Sequence, residues 1–160
     1  MTPENEPLRL NLGSGPDPLD GYTNVDIHKN ADINGDFMVM DFKDADEVIL
    51  SHCLEHFSHR VTQQVLRKCH GFLKRGGKFV VEVPDFSMLI HLDLKMDGWQ
   101  LGIFGSQEHD GEYHKSAFTL ETLIAEVARA GFVIVTARTF LSESPHRPGM
   151  PCIELVCIAG

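Results

Sequence analysis

Leu8, Leu10 and Leu12 alternate with Arg9 and Asn11, so Leu8–Leu12 is predicted as a first strand with one buried face. Short apolar stretches at Tyr22–Ile27, Asp36–Met40 and Glu47–Leu50 read as three further strands. The period then changes. Val61, Val65, Cys69, Phe72 and Leu73 recur at helical spacing behind Ser58, whose hydroxyl suits an N-cap, and Gly76-Gly77 is expected to stop that helix. Lys78–Val83, bounded by Pro84, predicts a fifth strand. Asp85 is placed to cap a second helix carrying Met88, Leu89, Leu92 and Leu94, and the glycine-rich stretch 98–115 reads as a loop. After Thr119, the residues Leu120, Leu123, Ile124, Val127 and Ala128 form one apolar stripe, ended by Gly131. Phe132–Phe140 and Ile153–Ala159 predict two last strands, joined through a turn at Pro145–Gly149 as an antiparallel hairpin.

Early strands alternating with crossovers argue for an α/β, doubly wound, seven-stranded sheet, mostly parallel, with the antiparallel hairpin at its C-terminal end. Pro16 and Pro18 oppose a helix after the first strand, so a loop is expected there. The 160 residues suffice for one core; residues 1–7 read as a flexible arm and 8–160 as a single domain. Such sheets bind ligands at the carboxyl ends of their strands, where Gly13, Asp26, Asp41 and His52 fall.

Composition narrows the partners. The net charge is −9, from 23 acidic against 14 basic residues, and no basic stripe offsets it. Nucleic acid and anionic membranes are therefore not expected as partners. No apolar run approaches the ~18 residues of a membrane span, and the acidic, proline-bearing start is not a targeting peptide. The cysteines at 53, 69, 152 and 157 form no Cys-x-x-Cys pair, which fits reduced thiols and a cytoplasmic location.

Gly13-Ser14-Gly15 follows the first strand and lets a ligand touch bare backbone. Position 18, where a dinucleotide fingerprint has its third glycine, is Pro18, and Asp26 comes 11 residues after Gly15 rather than about 20. That suits a nucleoside without a pyrophosphate, its ribose diol taken by Asp26; the bare alternative is a tight structural turn. His52-Cys53-Leu54-Glu55-His56 fits the H-x-x-E-H pattern of inverted zinc peptidases, which needs both imidazoles on one helix face. Directly after a strand, a loop histidine pair with ordinary hydrogen bonds is the expectation, and no metal is predicted. His109, Asp110, Glu112, His114 and Lys115 cluster late in the chain, where an imidazole could move a proton and a lysine could hold an anion.

In order and spacing, Leu10–Gly15, Asn24-Val25-Asp26, Ser51–Phe57, Leu73–Phe79, Val83–Phe86 and His114–Thr119 resemble the class I S-adenosylmethionine-dependent methyltransferases, closest to the small type 11-like branch, from about Leu8 to about Phe140. The resemblance implies a Rossmann-like sheet with S-adenosylmethionine as cofactor. It would place Leu12, Gly13, Ser14 and Gly15 along the methionine part and Asp26 and Ile27 at the ribose. Asp41 and Phe42 would flank the adenine, with His52 and Leu54 along the cofactor floor. The missing first helix and a short Phe42–Glu47 stretch depart from the family pattern. The activity implied is methyl transfer to a small-molecule or glycan-like acceptor. His56, His109 and His114 are the candidate bases, and Glu55 and Lys115 the candidate acceptor contacts. Two alternatives stand beside it: a non-catalytic cofactor-binding or partner protein on the same fold, and an H-x-x-E-H zinc hydrolase.

Overall fold

The alternating leucines form the centre of the sheet. In the computed structural model, which describes residues 6–28, 30–91 and 99–160, Leu10, Leu12, Val25, Val48 and Leu50 are all fully buried on one face. Seven strands build one sheet: β1 (Arg9–Leu12), β2 (Thr23–Asp26), β3 (Ile33–Asn34), β4 (Ala45–Ser51), β5 (Leu73–Pro84), β6 (Phe132–Leu141) and β7 (Pro151–Ala159), in the spatial order β3-β2-β1-β4-β5-β7-β6. The first five run parallel, so their carboxyl ends share one edge, while β7 inserts antiparallel between β5 and β6.

The helices α1 (Thr62–Phe72) and α4 (Leu120–Arg129) lie side by side, tied by Gln63 Nε2 donating to the Glu126 carbonyl at 2.8 Å. Between them and the sheet, Phe79 stacks on Phe132 with ring centroids 4.3 Å apart, and Val81, Leu155 and Cys157 complete the layer. Two shorter helices, α2 (Phe86–His91) and α3 (Trp99–Phe104), pack together beyond the carboxyl end of β5. No helix among the described residues is long and apolar enough to cross a membrane. All four cysteines are buried and free.

The expected absence of a first helix holds: residues 13–22 cross from β1 to β2 as a loop. Side chains do what helix packing would otherwise do. Asn11 and Asn24 are cross-strand neighbours, and Asn24 Oδ1 accepts from Asn11 Nδ2 at 2.9 Å and from the Leu19 amide at 2.8 Å. Asp32 Oδ2 accepts from both the amide and the Nδ2 of Asn24. Farther out, Asp17 lies 3.2 Å from His146 Nε2 and is ion-paired to Arg147 at 3.3 Å, both from the β6–β7 connection.

Four boundaries differ from the sequence expectation. The third strand is Ile33–Asn34, whereas 36–40 holds a single 3-10 turn, because Asp36 Oδ1 accepts from the Met38 amide at 2.8 Å and closes it. Helix α1 starts at Thr62, since Ser58 instead builds a turn in which its carbonyl accepts from Val61. It ends at Phe72, short of the glycine pair: Ala45 pairs with Leu73 and Glu47 with Lys78, so residues 74–77 bulge out of β5. A Cβ at Gly77 would stand 2.9 Å from the Ala45 carbonyl oxygen, which explains the glycine. The expected loop 98–115 contains α3 and a 3-10 turn at Asp110–Glu112. Leu92, Leu94 and Gly98 lie outside the described residues.

Thr119 does cap α4, in a reciprocal pair with Thr122: the Thr122 amide donates to Thr119 Oγ1 at 3.3 Å and the Thr119 amide to Thr122 Oγ1 at 2.9 Å. Thr119→Ala is expected to cost about 1 kcal/mol in urea denaturation. An unchanged midpoint would show that α4 is held by its apolar stripe alone.

Candidate functional site

The glycine turn and the second strand meet at the carboxyl edge. Gly13 (φ +67°) and Gly15 (φ +51°) take left-handed backbone conformations that side chains disfavour. The Gly13 and Ser14 amides both donate to the Val25 carbonyl, at 2.8 and 3.2 Å, which wraps the turn over β2. A Cβ at Gly13 would stand 2.4 Å from Cys53 Sγ, so that glycine is required by packing. At Gly15 a Cβ would meet nothing within 4 Å among the described residues. The open space there lies beside Asp26, whose Oδ2 accepts from the Gly15 amide and Oδ1 from the His28 amide, each at 2.8 Å. Held by two amides, the Asp26 carboxylate has fixed orientation and spare lone pairs. Ser14 Oγ is buried and has no hydrogen-bond partner among the described residues.

The acidic residue just past β3 is Asp36, not Asp41, because the strand ends at Asn34. Asp41 is exposed and paired to Lys43 at 2.7 Å; that hydrogen bond holds its carboxyl below the usual range. Phe42 packs edge-on against Phe72 of α1, with centroids 5.2 Å apart. Ile27 is exposed at the end of β2, with Gly111 of the late loop close to its side chain.

His52 follows β4 in a left-handed conformation (φ +47°), held by its amide donating to the Glu82 carbonyl at 2.8 Å. Its ring turns toward the partners that β5 and β7 supply: Nε2 lies 2.9 Å from Glu82 Oε1 and 3.6 Å from Cys152 Sγ, and Nδ1 lies 3.3 Å from Glu55 Oε1. Burial alone would favour the neutral ring. The polar contacts with Cys152, Glu55 and Glu82 overcome it and push the His52 pKa up to about 11. Burial likewise opposes ionisation of Glu55, and His52 reverses that, holding its pKa below the ordinary value. Glu55 is 1 % exposed, and its contact with His52 is ionic rather than an aligned hydrogen bond: neither carboxylate oxygen has a hydrogen-bond partner among the described residues. Leu54, expected on the cofactor floor, is fully buried in the core.

The three candidate bases divide into two places. His56 and His114 face each other edge-on, ring centroids 4.9 Å apart, with His56 Nδ1 3.3 Å from the Tyr113 carbonyl and His114 Nδ1 3.1 Å from that of Gly102. Burial lowers the His114 pKa, which keeps that ring neutral. His109 lies elsewhere, against His28 at 4.4 Å and Glu112 at 3.4 Å. Lys115 contributes its backbone: its amide and that of Ser116 donate to the Glu55 carbonyl at 2.8 and 3.1 Å, while its side chain is exposed. A small cavity lined by Glu55, Phe86, Leu89, Gly102, His114 and Phe118 has room for about one water. The H-x-x-E-H arrangement of a zinc peptidase is not formed. Residues 54–56 make a 3-10 turn, and the His52 and His56 rings serve different partners.

Glu82 and Cys152 joined the site without a sequence signal, since only the β5–β7 pairing brings them to His52. Asp36 and His28 could have been found, each lying two residues past a strand end.

Residues 20–81 match the family model described as a methyltransferase domain. None of the curated proteins matches the sequence. Among solved structures, an S-adenosylmethionine-dependent methyltransferase from Methanosarcina mazei superposes with a TM-score of 0.71 at 14 % identity, over 98 % of this chain and 94 % of that one. The 1,6-didemethyltoxoflavin-N1-methyltransferase of Burkholderia thailandensis, solved with its namesake compound and S-adenosylhomocysteine, gives 0.66 at 16 % identity, over 96 % and 72 %. A small RNA methyltransferase gives 0.68 at 14 % identity, over 98 % of this chain but 23 % of that one. At these identities the likeness is one of fold, and it spans proteins with different acceptors.

Proposed function

We propose that this chain, which has the class I methyltransferase fold and a methyltransferase-domain match over residues 20–81, binds S-adenosylmethionine at the Gly13–Asp26 edge and methylates a small-molecule or glycan-like acceptor. The observation that carries the reading is the open space over Gly15 beside the anchored carboxylate of Asp26. A ribose diol offers two hydroxyl donors to such a carboxylate, and a Cβ at position 15 would fill the space beside it. When bound, S-adenosylmethionine supplies a sulfonium methyl group, already a strong electrophile.

The protein's part is to hold and align. Asp26 takes the ribose hydroxyls, with Ile27 beside it, and the Leu12–Gly15 turn takes the methionine part. The adenine side falls to the segment after β3, where Asp36 stands at the strand end and Asp41 and Phe42 lie farther along. His56 and His114 are the acceptor side, and neutral His114 can take a proton from an acceptor hydroxyl. His109, tilted against His28, covers the ribose side instead of reaching the acceptor. The net charge of −9 favours a small acceptor over a polyanion, and the four buried free thiols suit a reducing cytoplasm.

Isothermal titration with S-adenosylhomocysteine tests this. The folded chain binds it, and Asp26→Ala weakens binding at least about tenfold, the cost of leaving ribose hydroxyls unpaired. Gly15→Ala weakens it too, while the melting temperature falls only by the few degrees that left-handed backbone strain costs. No binding by the folded wild-type chain would overturn the proposal.

A further inference from the structure

We propose that Glu55, His56 and His114 form a binding site for one divalent transition-metal ion of the zinc or cobalt type. One ligand atom from each residue lies within 4.8 Å of the other two. Around a tetrahedral ion with bonds of about 2.0–2.2 Å, ligands stand roughly 3.5 Å apart. Small side-chain rotations therefore close the set.

Four features single out this cluster. First, both rings are oriented from behind. His56 Nδ1 faces the Tyr113 carbonyl and His114 Nδ1 that of Gly102, so each Nδ1 carries the proton it donates and each Nε2 keeps a free lone pair. Metal-binding histidines are held in this way. Second, Glu55 is 1 % exposed, yet neither of its oxygens has a hydrogen-bond partner among the described residues. His52 meets Oε1 alone, at 3.3 Å and without an aligned hydrogen bond; a buried carboxylate oxygen left without a partner, as Oε2 is, is costly, and a bound cation would satisfy it. Third, the ligands are stitched together before any ion arrives. The amides of Lys115 and Ser116 donate to the Glu55 carbonyl, locking the His114 segment onto the 3-10 turn that carries Glu55 and His56. Fourth, Glu55 and His114 line the cavity with room for about one water. Three protein ligands and one exchangeable water are the makeup of an open zinc site.

Two imidazoles and one carboxylate suit zinc, cobalt or iron(II) better than calcium or magnesium, which prefer all-oxygen sets. Two other groups among the described residues have the right donor types. In His28, His109 and Glu112 both histidines are exposed, and in His52, Glu82 and Cys152 the carboxylate is already hydrogen-bonded to the ring. Neither holds a buried carboxylate whose oxygens lack hydrogen-bond partners among the described residues.

The test titrates cobalt(II) into the chelator-treated full-length chain, following visible absorption, with zinc competition for affinity. One equivalent binds with four- or five-coordinate d–d bands and no thiolate charge-transfer band. His56→Ala and His114→Ala each weaken binding tenfold or more, and both side chains are only half-buried, so these variants keep the wild-type circular dichroism. His109→Ala binds as wild type. Absence of binding by the folded wild-type chain overturns the proposal. So do binding indifferent to His56→Ala and His114→Ala, and a thiolate band pointing to Cys152. The titration needs no S-adenosylmethionine, so it succeeds or fails independently of the cofactor reading; an ion held by His114 would occupy the lone pair that otherwise takes a proton, so the base role belongs to the metal-free protein.

Discussion

His52→Ala is expected to destabilise the fold by about 3–5 kcal/mol, the usual cost of removing one partner from a buried ion pair. Total stability for such domains is about 5–15 kcal/mol, so the variant will be marginal. The side chains of His52 and Glu55 are 5 % and 2 % exposed, and His52 also faces Glu82. Without the ring, Glu55 stays buried as an anion and Glu82 loses its closest cation. Adding Glu55→Gln to His52→Ala should recover part of the loss, because the buried group is then neutral. Urea denaturation of both variants at neutral pH checks this. A loss below about 1 kcal/mol for His52→Ala would mean that water reaches Glu55 freely. The pH dependence has a definite sign. The folded pKa of His52 is raised from 6.5 to about 11, so its contribution is complete below about pH 6.5 and drains away as pH rises toward 11. Metal-free protein should therefore lose stability on the alkaline side by more than the His52→Ala variant does.

Gly13→Ala is expected to cost about 2–5 kcal/mol and to abolish cofactor binding. Left-handed backbone costs a side chain about 1–2 kcal/mol, and overpacking adds about 1–3 kcal/mol. The new Cβ would meet Cys53 Sγ at 2.4 Å and its Cβ at 2.9 Å. Both groups belong to stiff segments, since the Gly13 amide is bonded to Val25 and Cys53 opens the turn after β4. Combining Gly13→Ala with Cys53→Ala removes the sulfur contact and should restore about half of the loss, a coupling measurable in a double-mutant cycle. Additive effects would place the cost in backbone strain alone. Gly15→Ala, with open space around it, pays only the strain, which separates a glycine kept for packing from one kept for a ligand.

The contrast between these two sites shows what the chain discloses locally. Gly13, Gly15 and Asp26 lie close in sequence, on consecutive strands, and their relation is legible from alternation and turn chemistry. The His52 cluster is not: Glu82 is 30 positions away and Cys152 is 100, and only the insertion of β7 beside β5 brings them in. The third strand was hidden for a different reason. Two residues are too few to show a period, while Phe37, buried in the core, and Val39, 83 % exposed, make the neighbouring turn look apolar throughout. The glycine pair at 76–77 resembles a helix stop but serves a bulge, and nothing local distinguishes the two. Helix α4, with a cap, a stripe and a glycine stop all in agreement, was readable from end to end.

The contacts of Asp17 with His146 and Arg147 decide where this chain can be cut or extended. The β6–β7 connection is a surface hairpin tip, by location the natural place to graft a peptide or open a circular permutant. Here that tip is the outer brace of the loop that replaces the first helix, so a graft between Ser144 and Met150 would be felt at the glycine turn, on the far side of the chain. The bulge at 74–76 is exposed and sits at the opposite edge of the sheet from the glycine turn. Among the described residues no hydrogen bond or ion pair joins it to the turn, and it is the better point of entry for a tag or a new terminus.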